Sequence, residues 1–502
     1  MLLACLVVLV AAVHSVRAMA AEAANERPNI IFVLTDDQFP GTENAMPALQ
    51  NNITSQGVKF TDMTSTFPLC CPGRATILRG QYAHNTHIYG NSLPLGGYEK
   101  FRDQGEQKST IATWLHDGGY QTGLFGKYMN NYTSLDIPLG WDRWYAWNGV
   151  NEGWTSLNDQ GIRKPLRRKE ADPGVSRAAI GFLRGHIGRP APVFAYVSFA
   201  AEHSPYHYAK TDGRKFEGVG VPRSPSFNED DVSDKPSNVR NLPEVSSSDI
   251  SQLDQDYREG LRSLMRVDRF IGDVSTLLTR KGEMDNTYFV FYTDNGAHFG
   301  QHRLKHGKLH PYEEDTGFPL IVRGPGIDHG VKSGKLVGNH DIAPTLADMG
   351  DASIPAFVDG RSFLPLAQDP TIAWTRTAIL SEKEDNEVPP NRWDMLRMPG
   401  KVYTRYENGA QEYYDLAVDP YQLHNAFGAA DTAYAPPDRT IRDYYEQRLN
   451  ALDACRSYGG PGSCREAEDA PLLPSGAILG QWQPTAPFDL VRGRWVTKSA
   501  DS

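Results

Sequence analysis

PNIIFVLTDDQ, residues 28–38, and NTYFVFYTDNG, residues 286–296, decide the fold. Each opens on an uninterrupted apolar run, Ile30 to Leu34 and Tyr288 to Tyr292, followed by a threonine and two side chains bearing oxygen. A run without polar alternation has no wet face, so it reads as a strand covered on both sides, as in a parallel sheet between helices. Two more runs end on a polar residue. TGLFGKY, 122–128, follows the helix-like STIATWLHDGG, 109–119, and delivers Lys127; PVFAYVSFAAEH, 192–203, delivers His203. Strands alternating with helical faces such as Leu261, Leu264, Ile271, Val274 and Leu278 predict an α/β fold, a doubly wound and mostly parallel sheet flanked by helices. Ligands of such sheets bind beyond the carboxyl ends of the strands, so Asp36, Asp37, Lys127, His203, Asp294 and Asn295 are expected to meet at one edge.

Around this core the 502 residues carry a formal charge of −10, from 51 basic and 61 acidic side chains. That balance argues against a general nucleic-acid binder and leaves room for a local cationic pocket. The basic run Arg163, Lys164, Arg167, Arg168, Lys169 reads as a solvated loop. At the N-terminus, an apolar stretch from Leu2 to Val13 precedes Ala18-Met19-Ala20, a small-x-small cleavage pattern, so residues 1–20 are expected to be a signal peptide of an exported protein. Secreted, periplasmic and lysosome-like destinations stay open. No later segment approaches the roughly 18 to 20 apolar residues that span a bilayer, so no membrane partner is expected. Export implies an oxidising compartment, and Cys455 and Cys464 bracket the Gly/Pro-rich RSYGGPGS, a loop flexible enough to close as a disulfide. Residues 27–370 read as a catalytic domain. Near residue 375 the texture changes: KVYTRYENGAQEYYDL places two β-rich runs around Asn408-Gly409, a hairpin signal. A smaller antiparallel α+β domain over 375–450 follows, then a tail over 451–502 with the local disulfide. The Pro/Ser-rich 221–249 stretch is expected to be a long surface loop bordering the site.

Three carboxylates and one amide, Asp36, Asp37, Asp294 and Asn295, suit a hard cation, calcium before zinc. Aspartates also end strands as turn formers, but the doubled motif favours metal. His298, His302, His306 and His310 recur every four residues, which on a helix would suit zinc. Gly300, Gly307 and Pro311 interrupt such a helix, so this stretch reads as a loop contributing one or two residues to the site. In FPLCCPGRATILRG, 67–80, Pro72 suits the first turn of a helix running to Arg79 with Gly80 as its stop. Cys70 and Cys71 then lie at a helix N-terminus that favours an anion, with Arg74 adding a fixed charge. A thiolate is one reading; against it, no histidine base lies nearby in sequence.

The motif C-x-P-x-R, here Cys70-Cys71-Pro72-Gly73-Arg74 with the downstream ILRG, resembles the signature of the type I sulfatases, whose first cysteine is oxidised to formylglycine. The resemblance runs from Pro28 to Phe427 through TDDQ, GKYMNNY, TDNGAHFGQH, FPLIVRGPGI, NHDIAPTLADMG and EYYDLAVDPYQLHN. It is strongest toward the branch of N-acetylglucosamine-6-sulfatases and extracellular heparan sulfatases, which also has adjacent cysteines. The resemblance implies an alkaline-phosphatase-like fold and one calcium ion (Ca2+) on Asp36, Asp37, Asp294 and Asn295, with the modified Cys70 completing the shell. It further implies that Arg74 stabilises the hydrated aldehyde, Lys127 and Lys308 bind sulfate oxygens, His203 protonates the leaving alcohol, and His298 is a substrate-binding pocket histidine. The implied partners are a sulfated carbohydrate such as N-acetylglucosamine 6-sulfate, or an aryl sulfate, and a formylglycine-generating enzyme during maturation. Two positions depart from the family pattern: Gly73 stands where serine is usual, and Met129 where many arylsulfatases have histidine, the latter a mark of the glucosamine branch. The alternatives are a phosphomonoester or phosphonate hydrolase with the same nucleophile, and a non-catalytic calcium- or glycan-binding descendant.

Overall fold

The computed structural model describes residues 27–149, 156–384, 392–428, 439–457 and 463–471, and the backbone of a short strand pair at 488–489 and 494–495. The expected leader, residues 1–20, lies outside the described residues. Ten strands form the main sheet: β1 Asn29–Asp36, β2 Val58–Phe60, β3 Gln121–Gly126, β4 Arg143–Asn148, β5 Ser156–Asp159, β6 Ile162–Pro165, β7 Val193–Glu202, β8 Thr287–Thr293, β9 Leu320–Arg323 and β10 Val331–Ser333. Their order is β10-β2-β9-β8-β1-β7-β3-β4-β5-β6. The five central strands, β8 to β4 in that order, run parallel, while β9, β5 and β6 pair antiparallel to their inner neighbours. Every residue of β1 and β8 is buried, as their unbroken apolar runs require.

Helices flank the sheet in two groups. Helices α1 Cys70–Arg79, α2 Ile111–Asp117 and α5 Ile342–Met349 pack on one another; α3 Ala171–His186 and α4 Ser247–Lys281 pack together and on β7. The expected apolar face of α4, Leu261, Leu264, Ile271, Val274 and Leu278, is buried. Its start is capped by the Ser246 side chain, which accepts from the Asp249 N–H, and Gly282 ends it with φ 72°. Among the described residues no helix is long and apolar enough to cross a membrane.

A second, antiparallel sheet holds β11 Ile379–Lys383, β12 Trp393–Met398, β13 Lys401–Tyr406 and β14 Gln411–Asp415, with Gly409 at φ 84° in the last hairpin. Helix α6 Arg439–Asp453 packs on β11 and β12. Cys455 and Cys464 form a disulfide, and the short helix Cys464–Asp469 beyond it sends Glu468 into a buried group with Tyr82, His340 and Arg376. The 221–249 stretch is more than a surface loop. Its Glu229 and Lys235 are buried and paired at 3.3 Å, and Glu229 holds His302 at 2.7 Å, so it braces the 297–312 loop. The basic run is solvated but not a loop throughout: Arg163 and Lys164 lie on β6, which pairs with β5, and with Arg167 and Lys169 they are exposed, whereas Arg168 is half-buried.

Candidate active site

The repeated strand ends lock side by side. Thr35 of β1 lies opposite Thr293 of β8 in register, which places Asp36 and Asp294 at neighbouring carboxyl ends. The Thr293 hydroxyl donates to the Asn295 carbonyl at 2.9 Å and accepts from the Gln38 N–H at 3.2 Å, and the Thr35 hydroxyl donates to Gln38 Oε1 at 2.6 Å, so the threonines of the two motifs serve as turn locks. Asp37 then turns in the left-handed region, φ 52°, and its N–H donates to Asp294 Oδ1 at 3.2 Å. Asn295 Nδ2 donates to Asp37 Oδ1 at 2.7 Å, while Asn295 Oδ1 is buried with no hydrogen-bond partner.

Helix α1 delivers its N-terminus to this edge. Cys70 follows the N-cap Leu69, and Gly80 ends the helix with φ 70°. Cys70 Sγ lies 3.6 Å from Asp36 Oδ1 and 3.8 Å from Asp37 Oδ1. Cys71 is buried, its N–H donating to Asn91 Oδ1 at 2.9 Å. One turn on, Arg74 is fully buried; Nε donates to Asp294 Oδ2 at 2.8 Å, and Nη1 donates to the Lys127 carbonyl at 2.9 Å and Ser198 Oγ at 2.8 Å. Its Nη2 lies 3.6 Å from Asp36 Oδ2 and makes no hydrogen bond. Gly73 faces the backbone of Asp294 so closely that a Cβ there would stand 2.8 Å from that carbonyl oxygen.

Cations close the group. Lys127, just past β3, donates through Nζ to Asp36 Oδ2 at 2.5 Å. Lys308 Nζ donates to Asp37 Oδ1 and to Cys70 Sγ, the latter at 2.8 Å. His203, just past β7, has Nε2 3.4 Å from Asp37 Oδ2, and its Nδ1 donates to the Ser204 carbonyl at 2.5 Å. Because a carbonyl only accepts, Nδ1 carries the proton and Nε2 is the nitrogen that faces the site. The contacts of His298 are made within its own loop. Its Nδ1 is 2.7 Å from Asp315 Oδ1 and its backbone pairs with Gly307, so it backs the loop that carries Lys308.

The electrostatics follow from burial. Burial pushes the Cys70 thiol well above its ordinary range, although Lys127 and Lys308 pull the other way, so as a plain cysteine it is a poor thiolate nucleophile. Burial would also raise Asp37, but Lys308, His203 and Lys127 hold its carboxyl below the ordinary value. Donor atoms of Asp36, Asp37, Cys70 and His203 lie within 4.8 Å of one another. Buried carboxylate oxygens beside the orphaned Asn295 amide oxygen are the donor chemistry that a hard divalent cation takes. Ser198 and Asn91, which hold Arg74 and Cys71, carry no signal in the sequence; each is a single polar residue, and only the fold brings it to the site.

Residues 28–352 match the family model described as Sulfatase, and residues 300–443 match one described as N-sulphoglucosamine sulphohydrolase, C-terminal. The N-acetylglucosamine-6-sulfatase of Capra hircus is 31% identical over 492 residues, 89% of this chain and 86% of that relative. An extracellular sulfatase SULF-1 homolog of Drosophila melanogaster is 35% identical over 353 residues, 68% of this chain and 32% of the relative. The chain thus spans half or less of the length of the extracellular sulfatases it matches. A solved protein in complex with its substrate D-glucosamine-2-N,6-O-disulfate superposes with a TM-score of 0.71 at 22% identity, covering 84% of this chain and 97% of that one, a likeness of fold.

Proposed function

The chain belongs to the type I sulfatase family, in the branch of the N-acetylglucosamine-6-sulfatases and extracellular sulfatases, and from that premise we propose that it hydrolyses sulfate monoesters of sugars, with N-acetylglucosamine 6-sulfate as the model substrate. The observation that carries this reading is Cys70 at a helix N-terminus, between Asp36, Asp37 and the Lys308 ammonium. Asp36, Asp37, Asp294 and Asn295 would hold one calcium ion, with Cys70, oxidised to formylglycine by a maturing enzyme, completing the shell. When present, the ion draws charge from the sulfate oxygens, and the hydrated aldehyde offers a pair of hydroxyls, one to attack sulfur and one to expel sulfate.

The chain's own residues do the rest. Arg74 fixes Asp294 through Nε, and its Nη2, paired with Asp36 at 3.6 Å but making no hydrogen bond, would face developing negative charge at residue 70. Lys127 and Lys308 neutralise Asp36 and Asp37 here, and were a cation to take those carboxylates, both ammonium groups would be available to the sulfate oxygens. Protonated on both nitrogens, His203 would give its Nε2 proton to the departing alcohol oxygen while Nδ1–H stays on the Ser204 carbonyl. His298, tied to Asp315, positions the Lys308 loop. The apolar N-terminal run and the disulfide support export.

Release of inorganic sulfate from N-acetylglucosamine 6-sulfate, compared with phosphate from the matching 6-phosphate, tests the reading. The sulfate ester should be the better substrate, and Cys70→Ala should abolish turnover while the melting transition persists. Faster phosphate release favours the phosphohydrolase alternative, and substantial sulfate release by the alanine variant would sink the proposed nucleophile.

A further inference from the structure

The four histidines of the 298–310 loop do not share one fate. His298 and His310 face Asp315, at 2.7 Å and 3.7 Å, and His302 is held by Glu229. The His306 ring makes no hydrogen bond or ion pair among the described residues, and it is half-buried. Its ring lies on Phe299, centroids 4.1 Å apart and planes 20° from parallel, and Tyr206 presents a second near-parallel ring at 6.4 Å. Phe299 is itself packed against Phe39 and Tyr257, so the ring under His306 is fixed.

Position gives this imidazole its meaning. His306 is two residues before Lys308, whose ammonium rests on Cys70 and Asp37, and its neighbour Tyr206 is three residues beyond His203. It therefore stands between the loop that carries Lys308 and the loop that carries His203. We propose that His306 is a specificity-determining residue whose ring nitrogens hydrogen-bond an uncharged polar group, a hydroxyl or amide, on the sugar next to the sulfate ester. This rests on the reading of the protein as a sugar sulfatase.

The chemistry of the ring suits that role. Burial holds His306 down at about 4; the Asp37 charge pulls it up, while His298, His203 and Lys308 push it further down, so at neutral pH it is an uncharged imidazole. A neutral imidazole has one donor and one acceptor nitrogen, the complement of a hydroxyl or an amide, whereas an anion would be served by Lys127 and Lys308. Stacking on Phe299 sets the ring plane in advance, so little rotamer freedom is lost on binding.

The test is steady-state kinetics on N-acetylglucosamine 6-sulfate with His306→Phe, which keeps a stackable ring and removes both nitrogens, and His306→Gln, which restores a donor and an acceptor. His306→Phe should raise KM by about 3–30-fold with kcat within about twofold, and His306→Gln should recover part of that loss. Competitive inhibition by inorganic sulfate, which fills only the sulfate position, should change by no more than about twofold. An unchanged KM overturns the proposal. So does a loss confined to kcat, or a parallel loss of inorganic sulfate affinity, which would mean that the ring merely supports Lys308. Failure of the parent reading looks different: wild-type protein would then release no sulfate from the sugar.

Discussion

Gly73 is the position at which the C-x-P-x-R stretch departs from the usual serine, and its surroundings give the reason. With the Asp294 carbonyl oxygen 2.8 Å from where a Cβ would stand, α1 and the β8 strand end approach more closely than a side chain allows. That carbonyl belongs to a residue whose carboxylate binds Arg74, so forcing the two backbones apart disturbs the site as well as the packing. Gly73→Ser should cost about 1–3 kcal/mol of stability and lower sulfatase activity, read by denaturant titration and kcat/KM. A serine variant with unchanged stability and activity would show that the close approach relaxes freely. The residues with full charges at strand ends, Asp36, Asp37, Lys127 and Asp294, are legible from sequence because an apolar run points at each. The partner of His298 is not, since its pairing with Asp315 and Gly307 depends on how the 297–312 loop folds back on itself.

Among the elements, the least expected is the short helix Cys464–Asp469. Its Glu468 is fully buried among Tyr82 at 2.6 Å, His340 at 2.8 Å and Arg376 at 2.9 Å, and Arg376 also binds Asp341. Tyr82 lies just beyond Gly80, so the helix after the disulfide is tied to the end of the helix that starts with Cys70. Burial alone would raise Glu468, but Arg376, His340 and Arg361 hold it down to about 2, against 4.5 in an exposed chain. A carboxylate with a depressed folded value contributes stability above its unfolded value and loses it as pH falls through the folded one. The wild-type melting temperature should therefore fall between pH 4.5 and about 2, with Glu468 supplying part of the slope. Glu468→Gln should be less stable at neutral pH, by about 3–5 kcal/mol for a broken buried pair, and lose less over that acid window. An acid slope equal to wild type would contradict the assignment. The hairpin at Asn408-Gly409 is readable locally. Glu468 is not, because a charge in a polar stretch reads as solvated until Tyr82, His340 and Arg376 arrive from three distant segments.

The whole molecule assembles its site from residues 36, 37, 70, 127, 203, 294, 295 and 308, which only a sheet can gather. β1 lies between β7 and β8, with β3 beyond β7, so four parallel strands present Asp36, His203, Asp294 and Lys127 at one edge. That much follows from apolar runs ending in polar residues, whereas the antiparallel edges β5 and β6, short and half-polar, give no such signal. The chemistry assigned to this edge depends on Cys70 ceasing to be a thiol, since burial keeps the plain thiol protonated beside two carboxylates. Mass spectrometry of the peptide containing residue 70, from chain produced together with a formylglycine-generating enzyme, therefore tests the account at its centre. The predicted peptide is lighter than the encoded one by the exchange of sulfur for oxygen and the loss of two hydrogens, and it reacts with a hydrazide as an aldehyde. An unmodified Cys70 in protein that releases sulfate would contradict it.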